Sequence, residues 1–197
     1  MHSLSSAFVL GYHGCDRAAG ERILRGEAFL KSDNAYDWLG PGVYFWENDP
    51  ERGLAFAKEL KAHPSRGMQI NSPYVIGAVI APGICLDMTT HSSQRIIQNA
   101  FRDYSAFVAK AGDPLPKNSA DLLRRYLDCA VIRYLHRSRE EAGLPLADTV
   151  RGVFIEGEAL YEGSGFHDKT HIQIAVRTLD CIKGVFRVPE HHLGRRP

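Results

Sequence analysis

The chain has 197 residues, 44% of them hydrophobic and 24% charged, the balance of a soluble domain with a filled core rather than a disordered, fibrous or membrane protein. Lys and Arg number 24 against 23 Asp and Glu, a formal net charge of +1, so no global field draws the molecule to nucleic acid or to an anionic membrane. The chain lacks a run of eighteen apolar residues, and its opening MHSLSSAFVL has neither a basic flank nor a long apolar stretch; neither a membrane span nor a secretion signal is expected, and the expected compartment is the cytoplasm.

Without repeats or a linker rich in Ser, Gly or Pro, residues 1–197 read as one unit. Phe8 to Tyr12 is a short buried strand closed by Gly14, and Asp16 caps a helix over Arg17 to Arg25 that Gly26 ends. Phe29 to Ser32 reads as a short strand, residues 34–42 as a turn-rich loop, and Val43 to Trp46 as a strand. Asp49 and Pro50 open a helix in which Leu54, Ala57 and Leu60 share a face. Tyr74 to Ile80 is a β-branched strand, and Ile84 to Leu86 continues it after Ala-Pro-Gly. Apolar residues then recur at helical spacing over Ser92 to Ala111 and Ser119 to Ala142, with Asp113-Pro-Leu-Pro between. Arg124, Arg125, Arg133, Arg137 and Arg139 sit on the outer faces, diluted by Asp121, Asp128, Glu140 and Glu141, which reads as a solvated surface. Strands resume at Val153 to Ile155, His171 to Arg177 and Ile182 to Val188. The order is that of an α+β domain with a helical insertion over 92–142. Cys15, Cys85, Cys129 and Cys181 are far apart without a Cys-x-x-Cys pair, so they read as reduced core thiols and no metal site is expected.

Three places can carry chemistry. Tyr12-His13-Gly14 ends a strand with an imidazole and a residue that lets a ligand approach bare backbone; alone it reads sooner as a core histidine beside a turn. Gly40-Pro-Gly-Val-Tyr-Phe-Trp46 sets two glycines before three aromatics, with Tyr44 and Trp46 on one face and Phe45 on the other, either a surface for a flat ligand or aromatic packing. Lys169 to Arg177 alternates, with His171, Gln173, Ala175 and Arg177 on one face and Ile172, Ile174 and Val176 facing the core, the pattern of a half-exposed strand or of one wall of a cleft.

In this order the three segments resemble the diphtheria-toxin and poly(ADP-ribose)-polymerase branch of the ADP-ribosyltransferases, marked by a histidine in Tyr-His-Gly, a tyrosine in Gly-x-Tyr-Phe and a glutamate opening a late strand. The resemblance implies a split β-sheet core and NAD as substrate. It implies that His13 bonds a ribose hydroxyl, that the Gly14 backbone holds the nicotinamide carboxamide with Cys15 beside it, and that Tyr44 stacks on the nicotinamide ring. Phe56 is implied for the ring's other face, with Tyr36 and Trp38 as alternatives. Gln173 stands where the family has its glutamate; it can orient a ribose but supplies no charge, which favours transfer of a single unit. Glu156, Glu158 and Glu162 lie just upstream, and one of them folding back would supply the charge.

The segment from Glu156 to Thr170 corresponds to the family's acceptor-recognition loop. Phe166 and Glu162 are its expected contacts, and His171 the expected base. Acceptor class stays open between protein and nucleic acid. A bacterial or phage toxin or effector with a neutralising antitoxin or immunity partner is the implied setting. The rival readings are a catalytically inactive NAD- or ADP-ribose-binding module and an RNA-binding domain that stacks bases on Tyr36, Trp38, Tyr44 and Trp46.

Overall fold

Two aspartates start the helices nearest the centre of the fold. Asp16 accepts from the Ala18 amide and caps α1 (Arg17–Leu24); Asp49 accepts from the Arg52 amide and caps α2 (Pro50–Ala62), with Pro50 in the first turn, where no intrahelical amide bond is lost. The structure, a computed structural model, describes residues 2–3, 8–64 and 69–194, so the N-terminal stretch read above for a targeting signal lies partly outside the described residues.

Strands β1 (His2–Ser3), β2 (Val9–Asp16), β3 (Val43–Glu47), β4 (Pro73–Ile80), β5 (Ile84–Asp87), β6 (Thr149–Phe154), β7 (His171–Val176) and β8 (Ile182–Arg187) form an eight-stranded sheet ordered β1-β5-β6-β7-β3-β2-β4-β8. Helices α3 (His91–Ala111) and α4 (Tyr126–Glu141) lie between β5 and β6 in the chain, where the helical segment was expected, and the architecture is mixed α+β.

Both faces of the sheet are covered. On one, Ile23 of α1 packs with Phe45, Ile76, Ile174 and Val176. On the other, Leu54 of α2 packs with Tyr12 and Val75, and Val131 and Leu135 of α4 pack with Val150 and Ala175. The alternating strand β7 is therefore not half-exposed: His171 and Gln173 on its polar face are each only 5% exposed.

Several boundaries differ from the sequence reading, each for a local reason. β2 runs through Gly14 to Asp16 instead of closing there: a Cβ on Gly14 would sit 2.1 Å from the Gly53 carbonyl oxygen, so the glycine lets α2 cross the strand. Phe29 to Ser32 forms no strand beyond the single bridge Ser32↔Gly42, and Phe29 instead turns into the core. α4 begins at Tyr126, not Ser119, because the Ser119 and Asp121 side chains take the Arg124 and Leu123 amides and Leu122 adopts a left-handed φ of 55°. β6 starts upstream of Gly152 and stops before Ile155. The four cysteines are free and buried. Among the described residues no helix is long and apolar enough to cross a membrane.

Candidate functional site

The strands that carry the three segments are neighbours, β7-β3-β2. Their register sets Tyr12, Trp46, Gln173 and Gly152 in one row across four strands, on the face that α2 and α4 cover. The β2–β3 ladder holds two register pairs, Gly11↔Glu47 and Tyr12↔Trp46, and neither Gly14 nor Tyr44 belongs to it. The Asn48 amide donates to the Leu10 carbonyl at 2.9 Å, so even-numbered residues of β2 turn their backbone groups toward β3. Gly14 by this alternation aims its N–H and C=O into the gap where the strands part.

His13 bridges that gap from the opposite face. Its Nδ1–H donates to the Tyr44 carbonyl at 2.9 Å, and its ring packs edge-on against Phe29 and tilted against Phe45. Burial lowers its pKa, so the ring is neutral and Nε2 is an acceptor. Cys15 shares His13's face but turns toward Gly20 of α1; burial and the neighbouring Asp16 raise its thiol pKa to about 11. It packs against α1, which takes it out of the expected set of ligand contacts.

Tyr44 lies on the row's face, its hydroxyl donating to the Gly40 carbonyl at 2.8 Å and accepting from the Leu39 amide at 3.0 Å. Burial and the nearby Asp37 push its pKa well up, so it remains protonated. Phe56 does not face Tyr44: its ring meets Trp46 at 4.8 Å, so the two aromatics that stand together are Trp46 and Phe56. Trp46 takes this place because residues 44 and 46 point to the same side of β3 and α2 crosses nearer to residue 46.

Gln173 is covered. Trp38, from the loop before β3, donates its indole N–H to Gln173 Oε1 at 2.9 Å and stacks on Phe154 at 3.6 Å. The Arg125 guanidinium lies 4.3 Å from the Trp38 ring centroid and 4.9 Å from that of Phe154. Arg125 is thus no part of a solvated basic face; its side chain is 18% exposed, and burial lowers its pKa.

Beside Gln173, His171 donates Nδ1–H to the Lys169 carbonyl at 2.6 Å, and a Glu156 carboxylate oxygen stands 4.0 Å from the same nitrogen. That oxygen is 3.3 Å from Arg52 Nη2, while Glu59 lies 3.6 Å from Nη1. Around this point four buried polar atoms have no hydrogen-bond partner among the described residues: Trp46 Nε1, Arg52 Nε and Nη1, and His171 Nε2. Each of these atoms retains hydrogen-bonding capacity that water or a polar ligand would satisfy. Arg52 is balanced by two carboxylates, so the unmet capacity is hydrogen bonding rather than charge.

Residues 155–170 form a hairpin-like excursion. The Lys169 amide donates to the Glu156 carbonyl at its base and the Leu160 amide to the Phe166 carbonyl near its tip. Phe166 is 68% exposed and Glu162 is also exposed.

No protein-family model matches the chain. No solved structure matches it. An uncharacterized protein from Methanocaldococcus jannaschii is 42% identical over 38 residues, 19% of this chain and 18% of that protein. The chain therefore spans under a fifth of the relative's length.

The structure sets His13, Gly14, Tyr44, His171 and Gln173 on adjoining strands; Arg52 and the contact of Trp38 with Gln173 are not among the residues expected from the sequence. Arg52 and Phe56 are four residues apart after a capping aspartate, which places them on one helix face; that spacing was the available signal for Arg52. Nothing local to Trp38 indicates a partner 135 residues away.

Proposed function

We propose that the chain is a mono-ADP-ribosyltransferase that cleaves NAD at the nicotinamide–ribose bond and passes ADP-ribose to a macromolecular acceptor. The observation that carries the reading is the gap between β2 and β3. Gly14 directs an N–H and a C=O into it, His13 closes it from behind, and Gln173 stands in the row beside it. A carboxamide needs one donor and one acceptor side by side, which a glycine backbone supplies without a side chain in the way.

In this reading the bond to nicotinamide breaks early and the enzyme's work is placement: Gln173 orients the ribose and Tyr44 meets the nicotinamide ring on the row's face, His13 braces the gap from the other face, and burial excludes water. Gln173 contributes geometry and no charge. Phe166 and Glu162, exposed on the hairpin, are the acceptor contacts, and a toxin or effector neutralised by a partner protein remains the setting that the resemblance implies.

One observation favours a second reading, a module that binds NAD or ADP-ribose without turnover. Trp38 covers Gln173 and bonds its carbonyl, and no carboxylate stands at that position. Mixing the full chain with NAD labelled in its adenylate and a cell lysate, then separating protein from nucleic acid, distinguishes the two. Transfer of label supports the enzyme, whereas saturable binding without nicotinamide release supports the module.

A further inference from the structure

We propose that His171 is the base that accepts the acceptor's proton and that Glu156, held in place by Arg52, is the carboxylate that positions it and stabilises its charge. The inference rests on the transferase reading and goes beyond it by assigning the proton's path.

The arrangement has the parts of a base with an orienting group. His171 Nδ1–H is committed to the Lys169 carbonyl at 2.6 Å, which fixes the tautomer and leaves Nε2 as the accepting nitrogen. Nε2 is buried and has no partner among the described residues. It sits on the same strand face as Gln173, two residues away, among the rings of Trp38, Trp46 and Phe154. Glu156 comes from the segment after β6 and reaches back to 4.0 Å from Nδ1, its side chain 15% exposed. Arg52, capped at the start of α2, fixes that carboxylate at 3.3 Å and is itself held by Glu59, to which Lys169 also bonds at 3.1 Å. Glu158 and Glu162 are exposed on the hairpin. Of the three upstream acids, the one that folds back is Glu156.

Burial, the largest influence on His171, opposes the imidazolium; the Lys169 carbonyl, Glu156 and Asp49 favour it and Arg52 opposes it, and the pKa is lowered on balance. A neutral imidazole at working pH is the form a base requires. In the step, the acceptor atom X of X–H bonds to the anomeric carbon of the ribose as the bond from that carbon to the nicotinamide nitrogen breaks. The electron pair leaves with nicotinamide, now neutral, and the proton of X–H passes to Nε2. Glu156 and the Lys169 carbonyl stabilise the transient imidazolium.

The test is the pH profile of label transfer from NAD into a cell lysate by the full chain. Wild type and Glu158→Gln should share one acid limb. His171→Asn should lose roughly 10²-fold or more of the plateau, the lower range for a general base. Glu156→Gln should lower the plateau by less and move the acid limb to lower pH, because an imidazolium without its carboxylate gives up its proton more readily. Nuclear magnetic resonance titration of the His171 ring in Glu156→Gln, which needs no activity, should show the same downward move. An unmoved limb and an unmoved titration in Glu156→Gln, or full transfer by His171→Asn, would overturn the proposal while leaving the transferase reading intact. Absence of nicotinamide release by wild type would overturn both.

Discussion

The indole N–H of Trp38 donates to the side-chain carbonyl of Gln173 at 2.9 Å, tying the loop before β3 to a strand 135 residues further along the chain. Gln173 is the residue through which a ribose would be oriented; its amide oxygen keeps a second lone pair and its amide nitrogen two donors, so the bond from Trp38 fixes the side chain's rotamer without exhausting it. Trp38→Phe keeps the stack on Phe154 and removes the donor. The variant should bind NAD severalfold more weakly in calorimetry, since the Gln173 amide is no longer held in one rotamer. It should also unfold more easily by about 1–3 kcal/mol, the cost of leaving a buried acceptor unmet. Equal NAD affinity in the two proteins would mean that Trp38 does not stand over the binding site.

His13 and Tyr44 act on the gap in different ways, and calorimetry separates them. His13→Ala removes the bridge to the Tyr44 carbonyl as well as the ring's free nitrogen, so it should weaken NAD binding and loosen the junction of β2 and β3. Tyr44→Ala removes a ring whose hydroxyl is already satisfied by Gly40 and Leu39, and should cost about 1 kcal/mol or more in NAD affinity, the value of one aromatic ring contact. Unchanged affinity in both variants would refute the placement of the site.

Gly14→Ala tests why a glycine stands in mid-strand. With the added Cβ 2.1 Å from the Gly53 carbonyl oxygen, α2 has to move off the sheet, and urea denaturation should show a loss of about 3 kcal/mol. Wild-type stability would show that the helix has room that the packing does not display.

The local rules of the chain were legible where they are short-range. Asp16 and Asp49 announced their helices, and the alternation of Tyr44, Phe45 and Trp46 announced which residues share a face. The start of α4 was misread because the helical spacing of Leu123, Tyr126 and Leu127 continues through a turn that Ser119 and Asp121 hold closed. β7 was read as half-exposed because His171 and Gln173 are polar. Their burial depends on Trp38 and Phe154, which arrive from a distant loop and from β6. The cluster of Arg52, Trp46, Glu156 and His171 likewise joins α2, β3, β7 and the segment after β6, and no spacing within one element encodes it.

His136 gives the fold a pH dependence of its own. It is buried in α4, its Nδ1–H donating to the Ile132 carbonyl at 2.8 Å, and burial followed by the charge of Arg177 lowers its pKa to about 4. The folded state therefore resists protonation that the unfolded state accepts at its ordinary value of 6.5. The contribution is complete above that value and is lost as pH falls from 6.5 toward about 4, by about 3 kcal/mol at most. Thermal melts across this range should fall more gently for His136→Gln than for wild type. Parallel curves would show that His136 is not the titrating group.

The central claim is that the gap between β2 and β3 cleaves NAD, and nicotinamide release by the purified full chain, followed with label transfer into a lysate, tests it most directly. Wild type should release nicotinamide and label one class of macromolecule. Gln173→Ala should do both roughly 10²-fold more slowly, the scale for removing one preorganised contact, and Gln173→Glu should retain or raise cleavage. NAD that is neither bound nor cleaved by wild type, or full activity in Gln173→Ala, would contradict the account.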